Sequence, residues 1–376
     1  RNGLIIADRF KYTLEDNVMA TMKESLLMQA ETMAEVSREM PAEVKRAVEM
    51  VGSNFSKIYI IGSGTSLNAA KTALYAFEHY TAAEVRTVAP FDFLHYFPLE
   101  RLKEDTLVLG ISQTARSIGT IECIKLARSK GAKTIFVTAE PENPGAQSAD
   151  GIFNTWTGLE LVGAKTRGFT STIAALYALA AGLGKENLDL CPLVGAMADT
   201  LKETEREIEG WVQELLTAES LTLISYGPTM GIAAEGALKI TETVRIPVEY
   251  YDVEEYMHGP YHKLTDKSNM VFICPPGAGQ ARAKQLIEFA GKITTHIYLL
   301  ADAPLSHNFK GLKMVMPALG NEMLDCINYI IPLQWLANDI TLRLGRQPEK
   351  SAYPEFHKIL GSKYMPKINY YTGEEA

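Results

Sequence analysis

Hydroxyl side chains follow two apolar runs of this sequence, each of which predicts a buried β-strand. The first segment contains Gly64, Thr65 and Ser66, and the second contains Ser112, Gln113, Thr114 and Ser117. Hydroxyl groups and the free backbone N–H groups at the start of a helix both donate hydrogen bonds to anions. Because the carboxyl ends of neighbouring parallel strands face one crevice, we expect the two segments to bind one phosphate together.

Two other interpretations of these segments stay open at this point. Ser and Thr are common helix caps, so either segment alone is also explained by a capped helix, whereas hydroxyls at two equivalent strand ends favour an anion site. Gly62 and Gly64 also begin a dinucleotide-binding fingerprint. The third glycine of that fingerprint is replaced by Leu67, which argues against a nicotinamide cofactor.

A predicted helix in the second half of the chain carries two carboxylates and an ammonium group. Lys239 lies four residues after Glu235, and Glu242 lies seven residues after Glu235. All three therefore share one helix face. Such a triplet is often a solvated ladder of ion pairs that contributes a few tenths of a kcal/mol. The small residues Gly236 and Ala237 instead indicate a face that packs closely against another element.

His258 precedes Gly259 and Pro260, a pattern that predicts a sharp turn presenting the imidazole ring. Imidazole titrates near neutral pH, which suits proton transfer. The other histidines lack a comparable context and are assigned no role: His79, His95, His262, His296, His307 and His357.

Apolar runs that alternate with segments of helical period predict an α/β fold with parallel sheets. The predicted strands cover residues 57–62, 106–112, 133–139, 221–227, 270–275 and 296–302. The two halves match at a nearly constant offset of about 163 to 164 residues, a sign of duplication. Thr65 falls on Thr229, and Val108 falls on Val271.

The repeat predicts a helical segment at 1–50, lobes at 51–200 and 201–345, and a tail at 346–376. In the second lobe, Pro275, Pro276 and Gly277 stand where the first lobe has Ser112, Gln113 and Thr114. These residues offer no side-chain donor. We therefore expect only the first lobe to bind phosphate.

Composition and charge exclude several classes of protein. The 376 residues are 47% hydrophobic and 22% charged, which excludes intrinsic disorder and indicates two domains. The net charge is −8 and basic residues form no block, so we expect no nucleic acid partner. Apolar stretches fall short of the roughly 20 residues that cross a bilayer, so we expect no membrane partner. Four scattered cysteines and the lack of a visible secretory leader favour a cytoplasmic protein.

Taken together, these residues resemble the sugar isomerase (SIS) family, and specifically its double-SIS branch, which includes the isomerase half of glucosamine-6-phosphate synthase. The resemblance covers about residues 58–347. It rests on Gly64-Thr65-Ser66, Ser112-Gln113-Thr114, residues 160–170, Glu235 to Lys239, Glu242 and His258-Gly259-Pro260. It implies two SIS lobes, each a three-layer α-β-α sandwich around a parallel sheet.

The resemblance also implies roles for individual residues. The phosphate and nearby hydroxyls of a sugar 6-phosphate would be held by Gly64, Thr65, Ser66, Ser112, Gln113, Thr114 and Ser117. Glu242 would move a proton between C1 and C2, with Glu235 and Lys239 beside it. His258 would assist ring opening in the site of the neighbouring subunit, which implies a homodimer with shared sites. Neither a metal nor an organic cofactor is implied.

Several positions depart from the synthase pattern. Lys165 stands in place of a serine, Arg167 in place of a lysine, and Ala115 in place of a glycine. The C-terminal lysine that forms a Schiff base in the synthase has no unambiguous match, although Lys350 and Lys358 lie at suitable distances. We expect Lys165 and Lys350 to contact the substrate. The glutamine-splitting half has no counterpart in this sequence, so glutamine is not the expected nitrogen source.

These departures resemble the catabolic branch of the family, the fructosamine 6-phosphate deglycases and SIS-type glucosamine-6-phosphate deaminases. We therefore expect an enzyme that releases an amine from a 6-phosphorylated amino sugar or Amadori compound through an enediol-type intermediate, with a deglycase favoured slightly over a deaminase. A simple aldose–ketose isomerase is one alternative. A non-catalytic sugar-phosphate regulator is another, and the presence of Glu242 with His258 argues against it.

Overall fold

The computed structural model describes residues 21–363. Two helices, α1 (Met22–Leu27) and α2 (Gln29–Val51), precede the first sheet. The first lobe then contains β1 (Lys57–Ile61), α3 (Thr65–Tyr80), β2 (Glu84–Val88), α4 (Pro90–His95), β3 (Thr106–Ile111), α5 (Ile118–Ser129), β4 (Lys133–Thr138), β5 (Gly151–Asn154) and α6 (Arg167–Leu183).

The long helix α7 (Cys191–Leu215) leads into the second lobe. That lobe contains β6 (Leu221–Ser225), α8 (Thr229–Thr243), β7 (Val248–Asp252), α9 (Val253–Tyr256), β8 (Met270–Cys274), α10 (Gln280–Ala290), β9 (Ile297–Ala301), α11 (Ala303–Ser306), β10 (Leu312–Val315), α12 (Glu322–Ile327) and α13 (Ile330–Arg343). A short helix, α14 (Phe356–Ile359), lies in the C-terminal segment.

Each lobe contains one sheet of five parallel strands, which confirms the predicted α/β class. The first sheet has the order β2-β1-β3-β4-β5, and the second has the order β7-β6-β8-β9-β10. The two orders are the same when each lobe is counted from its own first strand. In this order the second strand lies on one side of the first strand and the third lies on the other, so the strand order reverses between the first and third strands, where ligands of such sheets bind.

The duplication holds in three dimensions at the predicted offset. The strand starts Lys57 and Leu221 are 164 residues apart, and so are the helix starts Thr65 and Thr229. The repeat also includes more helices than the sequence indicated. Helix α7 in the second lobe corresponds to α2 in the first, and α13 corresponds to α6. The predicted boundary at residue 200 therefore falls inside α7, and the helical segment before residue 51 belongs to the first repeat.

The lobes share a continuous core between their sheets. The strands β1 and β3 are buried along nearly their whole length, as are β6 and β8. Helix α6 is buried on almost every side and packs on α2 and α3, while α13 packs on α7 and α8. No helix between residues 21 and 363 combines the length and the apolar character needed to cross a membrane.

The equivalent helices α3 and α8 pack against each other at the centre of the molecule, and Gly231 permits their close approach. A Cβ atom at this position would lie 2.1 Å from Thr72 Oγ1 and 2.5 Å from the main-chain oxygen of Asn68. Because the main chain of α3 cannot yield, a larger residue would separate the two helices.

We therefore expect Gly231→Ala to destabilise the protein by about 1–3 kcal/mol, as overpacking does. The measurement is the midpoint of thermal unfolding. Gly195→Ala in α7 is the matched control, because an added Cβ there meets no atom within 4 Å. The control should leave the midpoint unchanged or raise it, since Ala favours a helix over Gly. Equal midpoints for the two variants would contradict the proposed helix contact.

Candidate active site

A cavity of about 390 Å³ opens where β1 and β3 end, at the reversal point of the first sheet. It brings together both hydroxyl segments, because its lining includes Ser63, Gly64, Thr65, Ser66, Ser112, Gln113, Thr114 and Ser117. Seven of these eight residues, all except Ser63, were predicted from the sequence. The hydroxyls of Ser63, Ser66, Ser112, Thr114 and Ser117, together with main-chain N–H groups of these segments, provide donors for an anion, whereas the Thr65 hydroxyl donates to Glu235.

These hydroxyls do not act as helix caps. Helix α3 begins after Gly64, which has no side chain to offer, and the hydroxyl of Ser117 makes no capping hydrogen bond to α5. Helix α5 starts only at Ile118, after the whole hydroxyl segment. The second segment is therefore a loop whose donors remain available to a ligand.

Glu160 lines the cavity beside Gln113 of the second hydroxyl segment. The carboxylate is buried and accepts hydrogen bonds from Ser25 Oγ (2.5 Å), Thr166 N (2.8 Å), Thr166 Oγ1 (2.9 Å), Gly168 N (3.0 Å) and Gln113 Nε2 (3.2 Å). Burial acts to raise the pKa of Glu160, but the charge of Lys165 and these hydrogen bonds outweigh it and lower the pKa. Glu160 thus stays an acceptor that fixes Gln113 and the start of α6.

Glu235, Lys239 and Glu242 on α8 form a chain of charges that ends in the cavity. Glu235 is fully buried and accepts hydrogen bonds from Thr65 Oγ1 and Asn68 Nδ2, both at 2.9 Å. Lys239 Nζ lies 3.3 Å from Glu235 Oε1 and 2.6 Å from Glu242 Oε2. Glu242 alone lines the cavity, with a side chain 41% exposed. The interpretation of this triplet as a solvated ladder is therefore wrong, because two of its members are buried.

Burial and charge act in opposite directions within this chain. Burial raises the pKa of Glu235, and the nearby Lys239 opposes that change. Burial would lower the pKa of Lys239, but the carboxylates of Glu235 and Glu242 outweigh it and raise the pKa. Lys239 therefore remains a cation beside Glu242.

Further charged groups line the cavity around Glu242. Arg116 Nη2 lies 3.1 Å from Glu140 Oε2. Burial raises the pKa of Glu140, although Arg116 and Lys165 oppose it. Lys165 is half-buried and its ammonium donates to the main-chain oxygen of Glu160. Of these three residues, only Lys165 was predicted from the sequence to lie in the site.

The C-terminal segment reaches the cavity through residues that were not predicted from the sequence. Lys363 forms an antiparallel bridge with Ser117, and His357 Nδ1 lies 2.7 Å from Ser362 Oγ. Pro354, His357 and Lys363 line the cavity. Desolvation lowers the pKa of His357, and the positive charge of Lys363 lowers it further. His357 was assigned no role, and only the folded tail places it here.

Comparison with known proteins agrees with this geometry: the sequence model of the SIS domain matches residues 53–182. The match covers the first sheet and the helices α3 to α6 that surround it. The glutamine–fructose-6-phosphate aminotransferase (isomerizing) of Pyrococcus horikoshii is 27% identical over 315 residues, which cover 82% of this chain and 52% of that protein. The chain thus spans about half the length of the curated relatives that it matches.

Solved structures show the same fold at lower identity. The C-terminal domain of glucosamine-fructose-6-phosphate aminotransferase from Francisella tularensis has a TM-score of 0.78 and 21% identity, covering 88% of this chain and 98% of that one. Glucosamine-6-phosphate deaminase from Thermotoga maritima has a TM-score of 0.70 and 17% identity, with coverage of 88% and 98%. Both matches extend beyond the SIS domain at residues 53–182 into the second lobe.

The second lobe repeats the fold of the first but fills the equivalent crevice. Tyr226, 164 residues after Gly62, donates its hydroxyl to the main-chain oxygen of Pro275. A Cβ atom at Gly279 would lie 2.4 Å from the Tyr226 ring. The aromatic ring thus occupies the region that hydroxyl loops border in the SIS domain.

Two residues selected from the sequence lie outside the cavity. The side chain of His258 is 68% exposed, and its Nε2 lies 3.7 Å from Glu254 Oε1. Lys350 is exposed, and its main-chain oxygen accepts a hydrogen bond from Arg245 Nη2 at 3.2 Å. Among residues 346–363, the lysine that lines the cavity of the first lobe is Lys363.

Between residues 21 and 363, no group of three or more His, Cys, Asp or Glu side chains is arranged to hold a metal ion.

Proposed function

We propose that this chain is a phosphosugar enzyme that releases an amine from a 6-phosphorylated amino sugar or Amadori compound. The observation that carries the proposal is the position of Glu242, which enters the cavity formed by the two hydroxyl loops. One cavity thus combines donors for a phosphate with a carboxylate that can act as a base. The fold shared with a glucosamine-6-phosphate deaminase is compatible with this chemistry.

The reaction needs two proton transfers and one water molecule. With the phosphate held by the hydroxyl loops, Glu242 takes a proton from the nitrogen-bearing carbon next to the carbonyl group and returns it to the carbonyl carbon. The carbonyl oxygen gains a proton and becomes a hydroxyl group, the nitrogen gives up a proton, and the carbon–nitrogen single bond becomes a double bond. Water adds to that bond, the amine leaves, and a sugar 6-phosphate remains. The cation of Lys239 lies beside the carboxylate and can stabilise negative charge that develops on the intermediate.

Ring opening requires an acid or base near the sugar oxygens, and we propose that His258 of a second subunit supplies it. His258 is exposed on its turn and lies outside the cavity of its own chain, as a group that acts on another subunit must. A homodimer with two shared sites follows from this proposal.

The direct test is to incubate the protein with a panel of 6-phosphorylated amino sugars and Amadori compounds, and to assay ammonia, free amine and sugar phosphate separately. Release of an amine together with an equal amount of sugar phosphate is the expected result. Interconversion of aldose and ketose 6-phosphates without amine release would instead identify a simple isomerase. Binding without turnover of any compound would identify a regulator.

Subunit mixing tests the shared site. We expect His258→Ala and Glu242→Gln to be inactive alone and to regain activity when they are mixed and allowed to exchange subunits. A mixed dimer contains one site with both defects and one with neither. Random exchange makes about half of the dimers mixed, so roughly a quarter of all sites should work. No regained activity from two folded, exchanging variants would contradict the shared site.

A further inference from the structure

His357 lines the same cavity as Glu242 and is half-buried there. Its Nδ1 lies 2.7 Å from Ser362 Oγ. Within residues 21–363, no other protein group forms a hydrogen bond or an ion pair with the ring, so Nε2 has no partner in this part of the chain. One nitrogen therefore orients the imidazole, and the other is available to a ligand in the cavity.

The segment that carries His357 is attached to the second hydroxyl loop. Lys363 forms an antiparallel bridge with Ser117, and the main-chain N–H of Ile118 donates to the main-chain oxygen of Ser362 at 3.4 Å. The N–H of Ser362 in turn donates to the main-chain oxygen of His357 at 3.2 Å. The residue that orients the imidazole is thus held at the start of α5, beside the loop expected to bind phosphate. His357 therefore has a fixed place relative to a bound sugar 6-phosphate.

The surroundings of His357 favour a neutral imidazole. Desolvation lowers the pKa of His357, and the positive charge of Lys363 lowers it further. The other charged side chains that line the cavity are Arg116, Glu140, Glu160, Lys165 and Glu242. A neutral imidazole lacks the charge that attracts a phosphate, but it accepts and donates protons near neutral pH. When Nδ1 donates to Ser362 Oγ, Nε2 carries the lone pair and can act as a base.

The proposed reaction contains one proton transfer for which Glu242 is not available. Glu242 moves a proton between two carbons, while the nitrogen loses a proton and the carbonyl oxygen gains one. We propose that His357 makes this second transfer and is a catalytic residue supplied by the tail of the same chain. This inference rests on the proposed amine release, and it is separate from the ring opening assigned to His258.

The transfer is balanced within the substrate. Nε2 of His357 takes the proton from the nitrogen, and the resulting imidazolium gives it to the carbonyl oxygen as Glu242 removes the proton from the nitrogen-bearing carbon. Glu242 then returns its proton to the former carbonyl carbon. Both side chains end in the state in which they began, so the step needs no further reactant.

The test measures turnover of the Amadori compound of glycine and glucose 6-phosphate by His357→Gln. We expect kcat to fall by a factor on the order of 10² or more, as removal of a general acid–base group does. Affinity for glucose 6-phosphate, measured by calorimetry, should change by no more than a few fold. His307→Gln is the matched control, because this histidine is exposed in the second lobe and does not line the cavity. It should leave kcat unchanged.

Two further measurements separate proton transfer from a structural role of His357. At low pH the unaltered protein loses both bases, Glu242 and His357, so the limiting slope of log(kcat/KM) against pH should be lower by one in His357→Gln. Added imidazole should restore part of the kcat of His357→Ala, because the free base can enter the space that the side chain leaves at the cavity.

Near-normal kcat of His357→Gln would overturn the proposed proton transfer. A lower kcat with an unchanged slope and no recovery in imidazole would overturn it as well, and would assign His357 to the packing of the tail. Interconversion of aldose and ketose 6-phosphates without amine release would reject only the proposed amine release. Because that isomerisation also moves a proton between two heteroatoms, the same variants assayed for it would still test His357.

Discussion

Glu242→Gln is expected to lower turnover by a factor on the order of 10² or more, while sugar-phosphate affinity changes by no more than a few fold. The amide keeps the shape of the side chain but cannot accept the proton. Lys239 remains paired with Glu235 at 3.3 Å, so the substitution leaves no buried cation without a partner. Steady-state kinetics measures the turnover, and calorimetry measures the affinity.

Glu235→Gln is an informative comparison for this variant. Glu235 is fully buried and touches Thr65 and Lys239, so its replacement should reduce thermal stability as well as activity. Glu242→Gln should unfold at nearly the same temperature as the unaltered protein. Near-normal turnover of Glu242→Gln would show that another group acts as the base.

Ser112→Ala combined with Thr114→Val is expected to weaken binding of a sugar 6-phosphate by a few kcal/mol. Hydrogen bonds to a charged group contribute about 1.5 to 3 kcal/mol each, so the loss in affinity should reach about a hundredfold. Isothermal titration with glucose 6-phosphate measures it. The two substitutions remove hydroxyls that line the cavity and do not cap a helix.

The control for this double variant lies in the second lobe. Pro276 stands 163 residues after Gln113, in the loop that follows β8. Pro276→Ala should leave the affinity unchanged, because the Tyr226 ring fills the neighbouring crevice. Similar losses for the two lobes, or an unchanged affinity in the double variant, would show that the phosphate binds elsewhere.

The central strands were predictable from the sequence and the edge strands were not. Runs such as Leu107 to Ile111 lack polar side chains because both faces of the strand are covered. A continuous run of this kind is readily recognised as a buried strand. Strand β2 reads Glu-Val-Arg-Thr-Val and β7 reads Val-Glu-Tyr-Tyr-Asp, and both lie at sheet edges with exposed side chains. A short, half-exposed strand has too few buried positions for an alternation of apolar and polar side chains to be recognised in the sequence.

The candidate site was predictable where its residues follow strands or share a helix face. The hydroxyl loops and Glu242 belong to this class. Arg116 and Glu140 come together only through the neighbouring ends of β3 and β4, and no spacing in the sequence indicates their ion pair. His357 and Lys363 depend on the docking of a tail against Ser117, which is a tertiary contact without a local pattern.

The contact between α3 and α8 also bears on the ancestry of the molecule. Thr65, the first residue of α3, donates to Glu235 in the equivalent helix of the other lobe. Two separate copies of one ancestral lobe could make this contact only by associating, whereas a fused chain holds them together at a fixed, high effective concentration. Fusion also lets the copies diverge independently. The two lobes now differ, because the first has an open cavity at the ends of its strands, whereas the second holds Tyr226 at the equivalent position and contributes Glu242 to the cavity of the first.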